Sequence, residues 1–272
     1  MFGTKTESAR PNLSLADIRG LEFHIPKTEE EQEKIASFFS LIYDKISLQD
    51  EKLKMLKDYK NGMMQKIFSR ELRFKDDEGR DYPEWEEKKL GECVDIFLGL
   101  TYTPTYTDTG IPFLSVKDIS NGRINFDNIK YISNEEYINS TNNAKPKKGD
   151  ILFGRVGTLG SPIVIKDNLD ICIFVSLGYL RIKDRGINNI FIAHWMNSDK
   201  FSKQVDKKVS GSSQKNLNTG WLREFTISTP KIEEQIEISK FLDKLDKKIE
   251  KEQEKLDSLN EYKKGLLQQM FV

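Results

Sequence analysis

An α+β fold, in which one mixed α/β domain is flanked by two long helices, is predicted by three features of this 272-residue sequence. A segment near the N-terminus recurs near the C-terminus. Each copy runs into a proline-free stretch with a heptad pattern, and between the copies the texture changes to short apolar runs separated by glycine turns. The composition agrees with such a plan: 37% of residues are hydrophobic, enough for a core, while 32% are charged, which long exposed helices accommodate. With 16 Phe, 9 Tyr and 3 Trp the chain is not expected to be disordered throughout.

The repeat comes first because it fixes the architecture. NLSLADIRGLEFHIPK, starting at Asn12, aligns with NLNTGWLREFTISTPK, starting at Asn216, which puts Pro26 on Pro230. One residue is then lost, and Glu33 to Phe68 matches Ile236 to Phe271 at an offset of 203 with 13 of 36 positions identical. The identities include Phe38/Phe241, Tyr59/Tyr262 and Gly62/Gly265. Each copy reads as an extended stretch ending at a proline, an acidic first turn suited to a helix N-terminus, and a long helix. In the first helix Ile42, Ile46, Leu53, Leu56, Met63 and Ile67 fall on alternating steps of three and four, with Gln49 and Lys60 in the gaps. The second repeats this with Leu245, Ile249, Leu256, Leu259, Leu266 and Met270, and with Glu252 and Lys263 in the gaps. Two matching seams invite pairing, and about 40 residues of helix would reach roughly 60 Å, the size of a spacer. The bland alternative is that each stripe packs on a globular core. The repeated glycine suggests a close approach of helix backbones or a local break, since glycine within a helix costs about 1 kcal/mol against alanine.

The middle reads as a separate domain, with strands at Leu90–Leu98, Ile111–Val116, Asp150–Phe153, Ser161–Ile165, Ile171–Val175 and Leu177–Ile182, and one helix at Ile190–Ser202. The expected divisions are 1–28, the end of a preceding domain; 29–70, the first long helix; 71–92, a linker; 93–228, the central domain; and 229–272, the second long helix.

Catalytic motifs are not found. GRVGTLG (Gly154 to Gly160) lies between two predicted strands and lacks the Lys-Ser/Thr pair of a phosphate-binding loop. His194 beside Trp195 reads as a helix residue at the core edge, and Asp150 after Gly149 as a turn residue. Asp118 has no partner at a telling spacing. Two cysteines, Cys93 and Cys172, with His24 and His194 cannot build a four-ligand zinc site without carboxylates, so no metal is expected. Neither a run of about 18 apolar residues nor an export signal is present, so the expected location is cytoplasmic, without a membrane partner.

Charge is balanced overall, 43 basic against 43 acidic residues, but unevenly spread. Residues 93 to 215 hold 16 Lys and Arg against 12 Asp and Glu, a surplus of four that favours the middle as the phosphate-facing part. Its loops are basic and rich in hydroxyl groups: LTYTPTYTDTG, SVKDISNGR, GRVGTLG and KKVSGSSQKN. Such residues can grip base edges and phosphates, although most loops of this composition are merely solvated.

Taken in order, several elements resemble the specificity subunit of type I restriction-modification systems. They are the proline and E-Q turns (PKTEEEQEKIASFF, PKIEEQIEISKFL), the helix ends YKNGMMQKIF and YKKGLLQQMF, the run FKDDEGRDYPEWEEKKLGE, and in the central domain GIPFLSVKDISNG, KKGDILFGRVGTLG and GSSQKNLN. The resemblance covers nearly the whole chain. It implies that the helices pair as an antiparallel coiled coil, through Ile42, Ile46, Leu53, Leu56 and Met63 on one side and Leu245, Ile249, Leu256, Leu259 and Leu266 on the other. It implies a target recognition domain that reads half of a split DNA sequence, and helices that set the gap and dock modification (methyltransferase) subunits, with restriction subunits joining the complex. The family has two recognition domains; here one is found, and residues 1–28 look like the end of another. A second copy of the chain is therefore a further expected partner, since protein twofold symmetry is mirrored in a palindromic site. The chain would be non-catalytic and bind no cofactor itself, with S-adenosylmethionine, ATP and magnesium on partner subunits. The residues expected to touch DNA are Lys117, Arg155, Thr158, Ser212, Gln214 and Lys215, with Tyr102 stacking on a sugar or base. Two other classes stay open: a coiled-coil interaction module whose globular domain binds protein or glycan, and a stand-alone nuclease.

Overall fold

The computed structural model describes residues 14–21, 25–120, 122–156, 159–209 and 216–271. In chain order the elements are α1 (Leu15–Arg19), α2 (Glu29–Ser69), β1 (Glu86–Lys89), α3 (Leu90–Cys93), β2 (Val94–Leu98), β3 (Tyr106–Thr107), β4 (Ile111–Leu114), β5 (Ile119–Ser120), β6 (Arg123–Ile124), β7 (Lys130–Ile132), α4 (Asn134–Asn139), β8 (Ile151–Gly154), β9 (Gly160–Val164), β10 (Cys172–Ile173), β11 (Leu177–Ile182), α5 (Asn189–Met196), α6 (Asp199–Val209), α7 (Thr219–Glu224), β12 (Thr226–Thr229) and α8 (Ile232–Phe271). The fold is mixed, with a long helix toward either end. Two compact units divide it: residues 1–55 with 249–272, and residues 56–248.

In the first unit the heptad pattern orients both helices. Ile42, Leu53 and Leu256 are buried, and Ile46, Ile249, Leu259 and Leu266 half-buried, whereas residues 43–45, 47–48 and 50–52 are exposed. The helices run in opposite directions, because the Lys263 ammonium sits 4.8 Å above the Tyr43 ring while Gln49 meets Glu252. Gln49 Nε2 donates to both the carboxylate and the main-chain oxygen of Glu252, at 2.8 Å each. Gln49 and Glu252 are equivalent positions of the repeat, so the internal twofold of the pair passes between them. The polar gaps in the seams are thus filled by partners that satisfy them, which fixes register.

The second unit holds the central domain and the remaining helix turns. Leu56, Met63 and Leu245 are half-buried and Ile67 fully buried. Lys60 pairs with Asp246, which is the counterpart of the Lys263 and Tyr43 contact, since Lys60 repeats as Lys263 and Tyr43 as Asp246. Its main sheet has the order β2-β11-β8-β9, with every pairing antiparallel. β8 is buried throughout, as are Leu177–Leu180 of β11, which explains why both read as apolar runs up to Arg181. A Cβ at Gly178 would lie 2.6 Å from the Phe153 ring, so only glycine lets these two strands pack. A second sheet has the order β10-β4-β7-β3, with β10 parallel to β4. β1 pairs with β12 and β5 with β6. The largest core cluster joins the sheet to α5, α6 and the inner turns of the long helices through Ile67, Phe68, Phe191, Trp195, Ile238 and Leu242.

Several local expectations are corrected. Leu90–Leu98 is a helical turn, α3, followed by the strand β2: Glu92 accepts from Lys89 N at 2.8 Å, and the turn buries both Leu90 and Cys93. Ile190–Ser202 is two helices, because Ser198 Oγ donates to the Trp195 carbonyl at 2.6 Å and ends the first. Within Ile171–Val175 only Cys172–Ile173 is strand, extended by a bridge from Phe174 to Leu100, since the chain turns at Val175 and Ser176. The stretch before each proline is not simply extended, as α1 and α7 occupy equivalent positions in the two copies. Nor do Gly62 and Gly265 mark a break or a close approach: both lie within unbroken helix, and a Cβ at either would meet nothing within 4 Å.

Candidate nucleic-acid interface

The loops singled out for chemistry converge on the short segment Phe174–Ser176 between β10 and β11. Leu100 N donates to Ile173 O, and Val175 N donates back to Leu100 O at 2.9 Å. Gly99 is required there, because a Cβ would lie 2.3 Å from Ile173 O. Val116 N donates to Ser176 Oγ at 3.1 Å, and Arg155 N to Ser176 O at 2.9 Å. Leu217 N then donates to Arg155 O at 2.9 Å, while Val156 and Asn216 form a β-bridge. The loops after β2, β4 and β8 and the segment before α7 are thereby tied at one edge of the domain.

Three of the seven expected DNA contacts can be placed. Arg155 is half-buried, and its guanidinium donates from Nε to Leu217 O at 3.2 Å and from Nη1 to Val175 O at 3.3 Å. It therefore ties the loops together as well as bringing positive charge to them. Lys117 is exposed on a turn capped by Asp118, whose carboxylate accepts from Ser115 N and Oγ at 2.7 and 2.8 Å. Asp118 is thus committed to shaping the loop. Tyr102 exposes its ring, and its hydroxyl donates to Glu136 on α4 at 3.0 Å, a bond that raises the phenol above its ordinary range. Thr158, Ser212, Gln214 and Lys215 lie outside the described residues.

A cavity of about 340 Å³ opens beside Tyr102, and Thr141, Asn143 and Thr219 line it with polar groups. Sequence reading passed over these three, which come from separate segments with no spacing in common. It also passed over Ser176, whose importance lies in what it holds.

Other groups considered for chemistry are engaged elsewhere. Asp150 takes a bidentate pair from Arg181, at 2.9 and 2.7 Å, and accepts from Lys147 N. His194 is buried; its Nε2 lies 3.0 Å from Asp243 and its Nδ1 4.0 Å from Asp246, and these three residues are the group of potential metal ligands among the described residues. The two ring nitrogens face different carboxylates and Lys60 pairs with Asp246, so the cluster is an ionic tie between α5 and the long helices. The hydrogen bond from His194 holds Asp243 below the usual carboxylate range. Cys93 and Cys172 are buried and free, and burial pushes the Cys93 thiol up to about 11, which leaves it unreactive.

The family described as type I restriction modification DNA specificity domain matches residues 3–58 and 82–261. The chain belongs to this family. Among curated members, the type I restriction enzyme MjaVIII specificity subunit of Methanocaldococcus jannaschii is 27% identical over 268 residues, covering 94% of this chain and 63% of its own length. A chain from a solved type I R-M system superposes with a TM-score of 0.63 at 20% identity, over 96% of this chain and 64% of that one. The S subunit from M. genitalium gives 0.60 at 16% identity, over 96% and 66%. These likenesses establish the specificity-subunit fold. The chain spans less than two thirds of the curated relative. No helix among the described residues is long and apolar enough to cross a membrane.

Proposed function

We propose that the chain is a DNA-recognition subunit of a type I restriction-modification complex, non-catalytic itself, in which the loop edge at Val175–Ser176 reads a short half-site. The observation that carries this reading is the convergence of the loops bearing Tyr102, Lys117 and Arg155 on one hydrogen-bonded junction. A rigid platform of this kind holds donors at fixed separations, as base readout requires. The paired helices, exposed along their outer faces, serve to dock modification subunits, and restriction subunits join through that complex. S-adenosylmethionine, ATP and magnesium belong, on this reading, to the partners.

The test is co-expression with the cognate modification subunit, measurement of the mass of the purified complex, and single-molecule mapping of methylated adenines. A stable complex that methylates one defined split sequence is expected, and a palindromic sequence would identify two copies of this chain. Failure both to form a complex and to bind duplex DNA at low salt would overturn the reading in favour of a protein- or glycan-binding module.

A further inference from the structure

The helix pair of the first unit carries different charges on its two flanks. On each helix the residues one position before a seam residue form one lateral row, and those one position after form the other. Lys52 and Lys255 occupy equivalent positions of the repeat, and both reach the Glu252 carboxylate at 3.0 Å, so the two preceding rows lie on the same side of the pair. Within this unit those rows hold Lys45, Lys52, Lys251 and Lys255 and no acidic residue. The opposite rows hold Asp50, Glu250 and Asp257 together with Lys54 and Lys264.

The repeat carries lysine in both copies at Lys52/Lys255 and at Lys45/Lys248, the latter belonging to the second unit, whereas Lys251 aligns with Leu48. The intervening Glu252, held at about 2 by Gln49, Lys255 and Lys52, supplies one negative charge among the four positive ones. Lys45 and Lys251 are exposed and make no ion pair among the described residues. Two exposed lysines without an ion pair, on rows that hold no acidic residue, suit an external anion. Lys45 and Lys52 are seven residues apart, about 10 Å along the helix, a distance that covers about three steps of a duplex strand.

We propose that this lysine flank binds the phosphate backbone of double-stranded DNA, as a contact surface separate from the loop edge; the inference rests on the recognition reading above. It assigns the long helices a DNA contact that carries no sequence information.

The experiment uses the full chain and a duplex of roughly 30 base pairs, with affinity measured between about 50 and 200 mM salt. K45Q/K251Q removes two lysines that touch no carboxylate, and is expected to reduce the salt slope by about 1.8, at about 0.9 per phosphate contact, with helicity and mass unchanged. K54Q/K264Q, on the opposite flank, is expected to leave the slope alone. A slope unchanged in K45Q/K251Q, or lowered equally by both variants, overturns the proposal. If wild type binds and Lys117→Gln weakens binding while K45Q/K251Q does not, the flank proposal alone falls. If the wild-type chain fails to bind duplex at low salt, the recognition reading falls and takes the flank with it, leaving an acidic protein surface as the alternative partner.

Discussion

The first turns of α2 and α8 carry the same residues in different surroundings. In α8, Glu234 is fully buried: it takes a bidentate pair from Arg73 at 2.8 and 2.9 Å, a bond from Trp85 Nε1 at 3.2 Å and one from Phe74 N. Gln235 beside it is equally buried, donating to Pro230 O and Gly186 O and accepting from Asn188 N. Their counterparts in α2, Glu31 and Gln32, are exposed, and so is Phe38, whereas its counterpart Phe241 packs on the core. One contact is common to both: Gln32 donates to Pro26 O at 2.8 Å just as Gln235 does to Pro230 O. The bond to proline is local, so the repeat encodes it in each copy. Burial of the carboxylate needs donors from Arg73 and Trp85, which lie outside the repeat. A repeated sequence thus specifies a helix start twice and a buried ionic centre once.

Replacing the two glutamates separately should give the largest contrast. Glu234→Ala removes the buried carboxylate that Arg73, Trp85 and Phe74 N share, leaving Arg73 with the exposed Glu84 and two carbonyls, and should cost about 3 kcal/mol in denaturant unfolding. Glu31→Ala should stay within about 0.5 kcal/mol, and equal effects would break the comparison. Gln235→Ala strands Asn188 N and two carbonyls, a loss of about 1–3 kcal/mol, while Gln32→Ala removes one exposed bond and should lose about 0.5 kcal/mol.

A smaller, pH-gated effect belongs to the middle of the pair, where the two copies meet. Glu252 is held at about 2, against an ordinary 4.5, by hydrogen bonds from Gln49, Lys255 and Lys52. Its folded value is the lower one, so its contribution is present above about pH 4.5 and is lost as pH falls toward 2. Thermal melts from pH 6 to 2.5 should therefore decline less steeply in Glu252→Gln than in wild type. The smallest effect should be equal in both helices: Gly62→Ala and Gly265→Ala fill open space and should each stabilise by up to about 1 kcal/mol. A loss in either would show a close approach at that glycine.

The long helices were legible because a seam is periodic, and each seam residue reports its environment through its spacing. The strands β8 and β11 were legible for the same kind of reason, as buried apolar runs. What escaped depends on partners distant in sequence. Nothing near Ser198 signals that its hydroxyl ends a helix, and nothing near Arg155 signals that Val175 and Leu217 will claim its guanidinium. The candidate site was legible as a set of loops; Ser176, Thr141, Asn143 and Thr219 were not, since only the folded chain brings those segments together.

The junction at Val175–Ser176 joins its loops largely through main-chain atoms, with Leu100, Arg155 and Leu217 all held by amide or carbonyl groups. Main-chain atoms are the same whatever side chain follows them. Outward-pointing residues of these loops can therefore be exchanged while the frame that presents them persists. In a protein built this way the message is cheap to rewrite and the page it is written on is not.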